Sequence, residues 1–568
     1  MPTKLKTFIL LIYLVLSIEK LKNHKSGQTK DSIEISAGYE YPRKENESND
    51  EIIIPIFGTN DMHGNALGYV KKSVKNETFK EGGGELLLSF YHILKDEWKN
   101  ILWLDVGDIF ETSYESSLTN GDAMNTIIKH ADATTLGNHE FLMKLPILQE
   151  KIRSFPFVSS NVYKGGENFD ENESTDESDK IIDGVEYTKT FEIEGVKIGI
   201  LGLTTNETYA KATRDCSHIN IISDLDTRIK IIKKAAKKLR DAGCNAVGII
   251  AHAGLDCKNE EELQAEKFGI YDLDSLPNCD SYGEIADLVE RIEPGTVDFI
   301  FAGHNHKNRR HFVNGIPIIS AKDRTKYFNI AYLHFNRQTK EFIPSKTQIE
   351  GPVPVCSHVY IGKGRCDDFT EEEKANLGPM KRVKFHGKEI KEDPETAEEL
   401  KSVKALVEPA QKKIAFKVIT DGKEIEEPQT RIKESFIGNL VADSMREITK
   451  TDFSFFISSN IRTPLTIGDV SLAQYYSMLI GGYNLVTLKM TGAEIKKMME
   501  AIQLTDLFHI FYSFSGVKIN MDLKNRKIRE IIFDNGEKMN DNQNYTVATI
   551  DFLIPKFMGN FIILKGNL

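Results

Sequence analysis

Side chains that bind divalent cations recur in five short segments of the 568-residue sequence. In chain order the segments are Asp61-Met62-His63-Gly64, Gly107-Asp108, Asn138-His139-Glu140, His252 and Gly303-His304-Asn305-His306. Two divalent ions about 4 Å apart need a shared carboxylate, further oxygen ligands, and neutral imidazoles that limit the negative charge. A lone histidine at a strand end is more often an ordinary hydrogen-bonded residue. The ordered set contains the whole mixture and therefore predicts a dinuclear metal centre.

These segments come at or just after apolar runs that are typical of buried strands. The runs occupy residues 52–57, 101–104, 196–203, 246–251 and 297–302, with polar helical stretches between several of them. Alternation of this kind indicates an α/β sandwich. Because such sheets bind ligands at the C-terminal ends of their strands, we expect the five segments to meet in one cleft.

The pattern changes after residue 350. Residues 351–393 are irregular and residues 394–413 have the periodicity of a helix, so we expect 351–413 to link two domains. Beyond the linker, residues 436–449 and 493–502 are predicted helices and residues 453–457 a predicted strand. The sequence thus predicts a second α/β unit, and a chain of this length is expected to build two cores.

The five segments together resemble the calcineurin-like metallophosphoesterase superfamily. That resemblance implies that Asp61, His63, Asp108 and His306 hold one metal ion, and that Asn138, His252 and His304 complete the second around the shared Asp108. It also implies that His139 stabilises the transition state or protonates the leaving oxygen; the alternative for His139 is a helix-start hydrogen bond. Two divalent ions are expected as cofactors, with Zn²⁺ favoured and Mn²⁺, Mg²⁺ or Ca²⁺ as alternatives.

The second half resembles the nucleotide-binding domain of 5'-nucleotidases. The similarity is carried by 434–440, 442–446, Ile461-Arg462, Gly468-Asp469-Val470 and 490–494, and it extends over about residues 50–565. It implies a four-layer α/β/β/α metallophosphoesterase sandwich at 50–350, a linker at 351–413, and a smaller α/β nucleotide-binding domain at 414–568. Arg431, Lys433 and Arg462 are then expected to bind the nucleotide's phosphate and Phe561 to stack on its base, although a core position for Phe561 is an equal alternative.

Two positions depart from the family pattern. Leu142 stands where family members usually have an Asp that orients the catalytic histidine. Because this chain lacks that Asp, we expect slower catalysis but intact metal binding. Gly481 stands where the family has its first stacking Phe, and Tyr483 is two residues further along. Recognition of the base is therefore expected to be weaker or different.

The N-terminus and the composition limit where the protein acts and on what. Lys4 and Lys6 precede an apolar run over residues 8–18, which predicts a signal peptide at 1–25 because the run is shorter than the roughly 20 residues that span a bilayer. We therefore expect a secreted, extracellular protein without a stable membrane anchor. The formal net charge of −11 disfavours a nucleic-acid polymer as partner. A small nucleotide remains compatible with that charge, and the oligomeric state is left open.

Cysteines and glycosylation motifs agree with secretion. The six cysteines contain no CxxC motif, which favours disulfides over zinc binding, with Cys356–Cys366 the first expected pair and Cys257–Cys279 the second. Asn46, Asn76, Asn172, Asn206 and Asn544 lie in Asn-x-Ser/Thr motifs that a glycosylating secretory pathway could modify.

The leading hypothesis is a secreted enzyme that hydrolyses nucleoside 5'-monophosphates to nucleoside and phosphate. One alternative is an apyrase-like hydrolase of nucleoside di- and triphosphates. Another, motivated by Leu142 and Gly481, is a secreted nucleotide-binding protein with reduced catalysis.

Overall fold

The computed structural model describes thirteen stretches of the chain. They are residues 32–36, 40–164, 184–210, 219–259, 268–272, 279–367, 369–419, 436–461, 465, 467–479, 483–505, 512–522 and 527–553. The expected signal peptide lies outside these residues, as do Asn172 and Cys216. The chain divides into two compact units, one of residues 1–111 with 118–404, the other of residues 112–117 with 405–568. None of the helices in the described part of the chain has the length and apolar character needed to cross a membrane.

Eleven described strands of the first unit form two mixed sheets. They are β1 (Glu51–Thr59), β2 (Leu102–Asp105), β3 (Thr188–Ile193), β4 (Val196–Thr204), β5 (Ala246–His252), β6 (Gly269–Tyr271), β7 (Phe299–Ala302), β8 (Arg309–Val313), β9 (Ile316–Ser320), β10 (Tyr327–Asn336) and β11 (Gln348–Pro354). One sheet has the order β6-β11-β10-β1-β2 and the other the order β8-β9-β7-β5-β4-β3. The five predicted strands are confirmed as β1, β2, β4, β5 and β7, with ends that differ by at most two residues.

The two sheets pack face to face around one apolar core. Ile54 and Ile56 of β1 and Leu104 of β2 share this core with Ile250 of β5 and Phe299 of β7, and all five are buried. The strands are apolar in continuous runs because helices cover their outer faces as well. This arrangement fixes the strand ends within a rigid, two-sided sandwich.

Nine described helices lie along the chain between residues 84 and 412. They are α1 (Gly84–Trp98), α2 (Tyr114–Thr119), α3 (Asn125–Ile128), α4 (Leu145–Ser154), α5 (Leu225–Asp241), α6 (Glu284–Arg291), α7 (Glu371–Ala375), α8 (Pro394–Glu399) and α9 (Lys401–Lys412). Phe90 of α1 packs on Phe328 of β10, with ring centroids 5.3 Å apart. On the other sheet, α5 packs on β4. Asp224 is the N-terminal cap of α5, and its side chain accepts a hydrogen bond from the backbone N–H of Thr227. Helix, sheet, sheet and helix make the four layers that the resemblance implies.

Shorter strands complete the first unit. They are Ser32–Glu34, Tyr69–Lys72, Thr78–Glu81, Val162–Lys164, Ile219–Ile221, Asp256–Cys257, Ser281–Tyr282, His358–Tyr360, Met380–Phe385 and Lys388–Glu389. The disulfides Cys257–Cys279 and Cys356–Cys366 are both present, which confirms the two expected pairs. Cys244 is buried and outside these disulfides. The helix predicted at 394–413 is divided into α8 and α9 at Leu400, the C-terminal cap of α8.

The second unit has its own mixed sheet and core. Its strands are β12 (Ile414–Val418), β13 (Phe453–Ile457), β14 (Gly468–Ser471), β15 (Leu485–Thr491), β16 (Tyr512–Ser515), β17 (Val517–Asp522), β18 (Lys527–Phe533) and β19 (Asn544–Ile550). Within the described residues the main sheet has the order β15-β19-β13-β16. The helices are α10 (Phe436–Thr449), α11 (Leu472–Met478) and α12 (Gly492–Thr505), so the predicted helices and strand of this unit are confirmed.

Candidate metal centre

The cation-binding side chains of the first unit converge on one cluster. The Nε2 atom of His63 lies 3.9 Å from Asp61 Oδ1, 3.8 Å from Asp108 Oδ2 and 2.8 Å from His306 Nε2. On the other side of Asp108, its Oδ2 atom is 3.2 Å from His252 Nε2, which is also 3.2 Å from Asn138 Oδ1. Potential ligand atoms lie within 4.8 Å of one another in three groups, Asp61-His63-His306, His63-Asp108-His139 and Asp108-His252-His304. Asp108 therefore lies between two sets of ligands, as a bridging carboxylate would.

Strand ends supply most of these residues. Asp61 and His63 follow β1, Asp108 follows β2, His252 is the last residue of β5, and His304 and His306 follow β7. Asn138 and His139 differ, because the chain before them forms isolated bridges at Ala133 and Thr134 instead of a regular strand. These bridges pair with Leu104 and Phe157, so they still place the segment beside β2.

The backbone is strained at the cluster. Asp61, His63, Asp108, His304 and His306 all have positive φ angles, between 48° and 74°. A non-glycine residue in a sparsely populated backbone region costs on the order of 1–3 kcal/mol, and such residues concentrate at functional sites. Here the surrounding loops hold the conformation, since the Asp61 N–H donates to Gly107 O and the His63 N–H to Asp108 O, at 3.0 and 2.8 Å.

Glycines allow the loops to approach each other closely. A Cβ atom on Gly137 would lie 2.1 Å from Asp108 Oδ1, and one on Gly303 would lie 2.8 Å from Asp61 Oδ2. The space that a side chain would fill is thus occupied by the two carboxylates. This explains why glycine precedes Asn138 and His304 in the sequence motifs.

The electrostatics of the cluster favour a cation. Although burial acts in the opposite direction, the Asp108 carboxylate raises the pKa of His252 to about 10. Burial would also raise the pKa of Asp108, but His252 and then His139 hold that pKa well below its usual range. Asp61 Oδ1 is buried and accepts no hydrogen bond from the described residues. A carboxylate oxygen of this kind, among carboxylates and imidazoles, fits the ligand set of divalent metal ions.

Two imidazoles also have an oxygen atom next to Nδ1, while Nε2 faces the cluster. His252 Nδ1 is 2.8 Å from the carbonyl oxygen of Val106, and His306 Nδ1 is 3.3 Å from Asp323 Oδ2. Such outer partners fix the tautomer and the orientation of metal-binding histidines. No local pattern in the sequence marks Asp323, because it lies outside the motif that contains His306.

Glu140 is a further supporting residue that the sequence reasoning left without a role. Its carboxylate accepts hydrogen bonds from the backbone N–H groups of Asp108, Ile109 and Gly137, at 2.7–2.9 Å. Burial and the nearby Asp108 charge raise the pKa of Glu140 to about 7. Glu140 thus connects the loop of Asp108 to the loop of Asn138. Its position directly after Asn138-His139 is the sequence feature that could have indicated this role.

His139 lies beside the shared carboxylate. Its backbone N–H donates to Asp108 Oδ1 at 2.8 Å, and its Nε2 is 4.0 Å from Asp108 Oδ2. The ring meets His63 edge to face, with centroids 4.8 Å apart. Leu142 ends the 3₁₀ turn Glu140–Leu142 and is half-buried, so the leucine supplies no hydrogen bond to the imidazole.

The structure does not describe the residues that are expected to bind the nucleotide. Arg431, Lys433, Arg462 and Phe561 lie outside the described residues, as does Gly481. Tyr483 is described and half-buried, and it packs against the apolar core of the second unit. The geometry of the first unit therefore bears on the metal centre and not on base recognition.

Comparison with known proteins adds two family matches. Residues 54–308 match the model of calcineurin-like phosphoesterases, and residues 414–566 match that of the 5'-nucleotidase C-terminal domain. A 5'-nucleotidase of Vibrio vulnificus is 24% identical over 538 residues, which cover 89% of this chain and 84% of that protein. Endonuclease YhcR of Bacillus subtilis is 23% identical over 535 residues, which cover 91% of this chain but 38% of the relative's own length.

Solved structures show the same fold. The 5'-nucleotidase precursor of Thermus thermophilus superposes with a TM-score of 0.63 at 18% identity, covering 90% of this chain and 94% of that one. Sulfate thiohydrolase SoxB of the same genus superposes with a TM-score of 0.60 at 15% identity, over 93% of each chain. At these identities the superpositions bear on fold alone.

Proposed function

Since the chain belongs to the 5'-nucleotidase family of metal-dependent phosphoesterases, we propose that it hydrolyses nucleoside 5'-monophosphates to nucleoside and phosphate at a two-metal centre. The observation that carries the proposal is the position of Asp108 between two sets of ligand atoms. One set is Asp61, His63 and His306, and the other is Asn138, His252 and His304. A single carboxylate shared in this way is what a pair of closely spaced ions requires.

Two divalent ions would stabilise negative charge on the phosphoryl oxygens and lower the pKa of an attacking water. The residues of the chain hold and orient this centre, because its backbone is fixed by Glu140 and by the close glycine contacts. The many imidazoles favour Zn²⁺ over Mn²⁺, Mg²⁺ and Ca²⁺, which prefer oxygen ligands. His139, beside Asp108, is the proposed group that protonates the leaving oxygen.

Substrate recognition is assigned to the second unit. The match of residues 414–566 to the 5'-nucleotidase C-terminal domain supports a nucleotide as substrate. Arg431, Lys433 and Arg462 are the proposed phosphate-binding residues, and Phe561 is the proposed stacking ring. One relative is named a trifunctional nucleotide phosphoesterase of Bacillus subtilis, which supports a wider range of nucleotide substrates and keeps the apyrase-like alternative open.

Action outside the cell is part of the proposal. The two disulfides are typical of oxidising compartments. The Asn-x-Ser/Thr motifs at Asn46, Asn76, Asn206 and Asn544 each have an exposed asparagine. Exposure of all four is compatible with glycosylation in a secretory pathway.

Release of phosphate from a panel of substrates tests the proposal. Purified protein is assayed with AMP, ADP, ATP, a sugar nucleotide and a generic phosphate ester, before and after treatment with a chelator. We expect AMP to be hydrolysed fastest, chelation to abolish the activity, and Zn²⁺ or Mn²⁺ to restore it. Faster release from ATP or ADP would favour the apyrase-like alternative, and nucleotide binding without release would favour the binding protein.

A further inference from the structure

A glutamate outside the expected ligand set contacts the metal cluster. Glu207 follows β4, and its Oε2 atom lies 3.3 Å from His304 Nε2. The side chain of Glu207 is 50% exposed, whereas that of His304 is 17% exposed. The carboxylate therefore approaches His304 from the solvent side of the cluster.

Hydrogen bonds hold the segment that carries Glu207. The backbone N–H of Glu207 donates to Thr205 Oγ1 at 3.3 Å, and that hydroxyl donates to Glu284 Oε2 at 2.7 Å. Glu284 also accepts a hydrogen bond from the backbone N–H of Asn206, at 3.0 Å. Thr205 and Asn206, the two residues before Glu207, thus both donate to the carboxylate of Glu284, which is the first residue of α6.

This carboxylate is itself held by a buried arginine. Arg228 of α5 is fully buried and forms an ion pair with Glu284. A charge removed from water needs a fixed partner of opposite sign, so neither side chain can move away without a large energetic cost. The Arg228–Glu284 pair, which joins α5 to α6, therefore holds the segment that follows β4 in a fixed position.

The contact between Glu207 and His304 completes a pattern. His252 has the Val106 carbonyl at its Nδ1 atom, and His306 has Asp323 at its Nδ1 atom. Each contact places an acceptor at one ring nitrogen and leaves the other nitrogen for the cluster. For His304 the acceptor is at Nε2. By the same division, Nδ1 would be the nitrogen that serves the group formed with Asp108 and His252.

We propose that Glu207 is a positioning residue of the metal centre. It accepts a hydrogen bond from Nε2–H of His304 and so keeps Nδ1 directed at the ion held with Asn138 and His252. The contacts of Arg228, Glu284 and Thr205 keep Glu207 in place. This role rests on the proposed two-metal function. It adds a residue that sets the affinity for one of the two ions.

Metal binding, measured apart from activity, tests the role of Glu207. Titration calorimetry with Mn²⁺ on the chelator-treated full chain gives the number of ions and the two dissociation constants. For Glu207→Ala we expect one constant to stay unchanged and the other to rise about 10–100-fold, the usual effect of losing an outer partner. Glu207→Gln should change less, because the amide oxygen still accepts the hydrogen bond.

Two further variants make the measurement specific. Glu290→Ala removes an exposed carboxylate from α6, the helix of Glu284, and should bind both ions like the wild type. Thr205→Val keeps the shape of the side chain but removes its hydroxyl, and should weaken the same ion as Glu207→Ala by a smaller factor. Arg228 and Glu284 stay unchanged, because loss of either would leave an unpaired buried charge.

The outcomes separate this role from the proposed function. A Glu207→Ala protein that binds both ions within about twofold of the wild type would contradict the role of Glu207 alone. Equal weakening of both ions would also contradict it, since Glu207 contacts only one set of ligands among the described residues. A wild-type protein that binds fewer than two ions would contradict the two-metal centre and this role with it.

Discussion

The two halves of the metal cluster differ in what lies behind their histidines. In the half built from Asp61, His63 and His306, the outer carboxylate is Asp323, whose side chain is 10% exposed. In the half built from Asn138, His252 and His304, the outer carboxylate is Glu207, at 50% exposed. His304 and His306 are thus similarly enclosed, but the carboxylates behind them differ in exposure. The half supported by Glu207 is the one more open to water and salt.

A change at Asp108, which both halves share, should have the largest effect, because it should weaken metal binding in both halves. Asp108→Asn keeps the shape and a hydrogen-bond acceptor for the His139 N–H but removes the bridging charge. We expect turnover to fall by about 10³-fold or more and both ions to bind more weakly. Phosphate release and calorimetry check this, with the unfolding temperature as the control for the fold. Tight binding of both ions by the variant would show that Asp108 does not join the halves.

Gly137→Ala should have the next largest effect and should act on the two halves of the cluster unequally. The added methyl group would meet Asp108 Oδ1 at 2.1 Å and Asp108 N at 2.5 Å, from the side of Asn138. Overpacking of this kind costs about 1–3 kcal/mol of the free energy of unfolding. We expect the ion near Asn138 to be weakened more than the ion near Asp61, as read by calorimetry and denaturant unfolding.

A matched control for this change is Gly378→Ala. A Cβ atom at Gly378 meets only Ile361 O, at 3.9 Å, so the stability and both dissociation constants should stay at wild-type values. If Gly137→Ala behaved like this control, the close packing around Asp108 would have no part in holding the ions.

Arg462→Ala should have the smallest effect on the cluster. It tests whether Arg462 of the second unit serves nucleotide binding alone and leaves both halves of the cluster unchanged. Loss of a hydrogen bond from a charged group costs about 1.5–3 kcal/mol, so we expect KM for AMP to rise about 10–100-fold. Hydrolysis of a generic phosphate ester, which depends mainly on the ions, should stay within about twofold, and both ions should bind normally. Equal loss with both substrates in steady-state kinetics would show that the division of labour between the units is wrong.

The sequence predicts which side chains converge on the cluster, but it does not predict Glu207 and Asp323 behind them, for a physical reason. Buried strands are visible as continuous apolar runs, and polar residues directly after them, such as Asp61 and His304, are visible with them. Glu207 and Asp323 lie in segments between strands, where a carboxylate is common in any sequence, and their roles arise only from contacts across the fold. Asn138 is intermediate, because its motif is distinctive while the chain before it forms bridges and not a strand.

The positive φ angles of Asp61, His63, Asp108, His304 and His306 have a consequence for how the protein opens. Backbone energy stored at five positions of one cluster lowers the cost of local unfolding there when no ion holds the side chains together. Amide hydrogen exchange should therefore be fastest to respond to ion removal at these loop amides, including the His63 N–H bonded to Asp108 O. Amides inside β1 and β5 should exchange slowly with or without ions, so the effect of the proposed ions on local stability should be confined to the loops of the cluster.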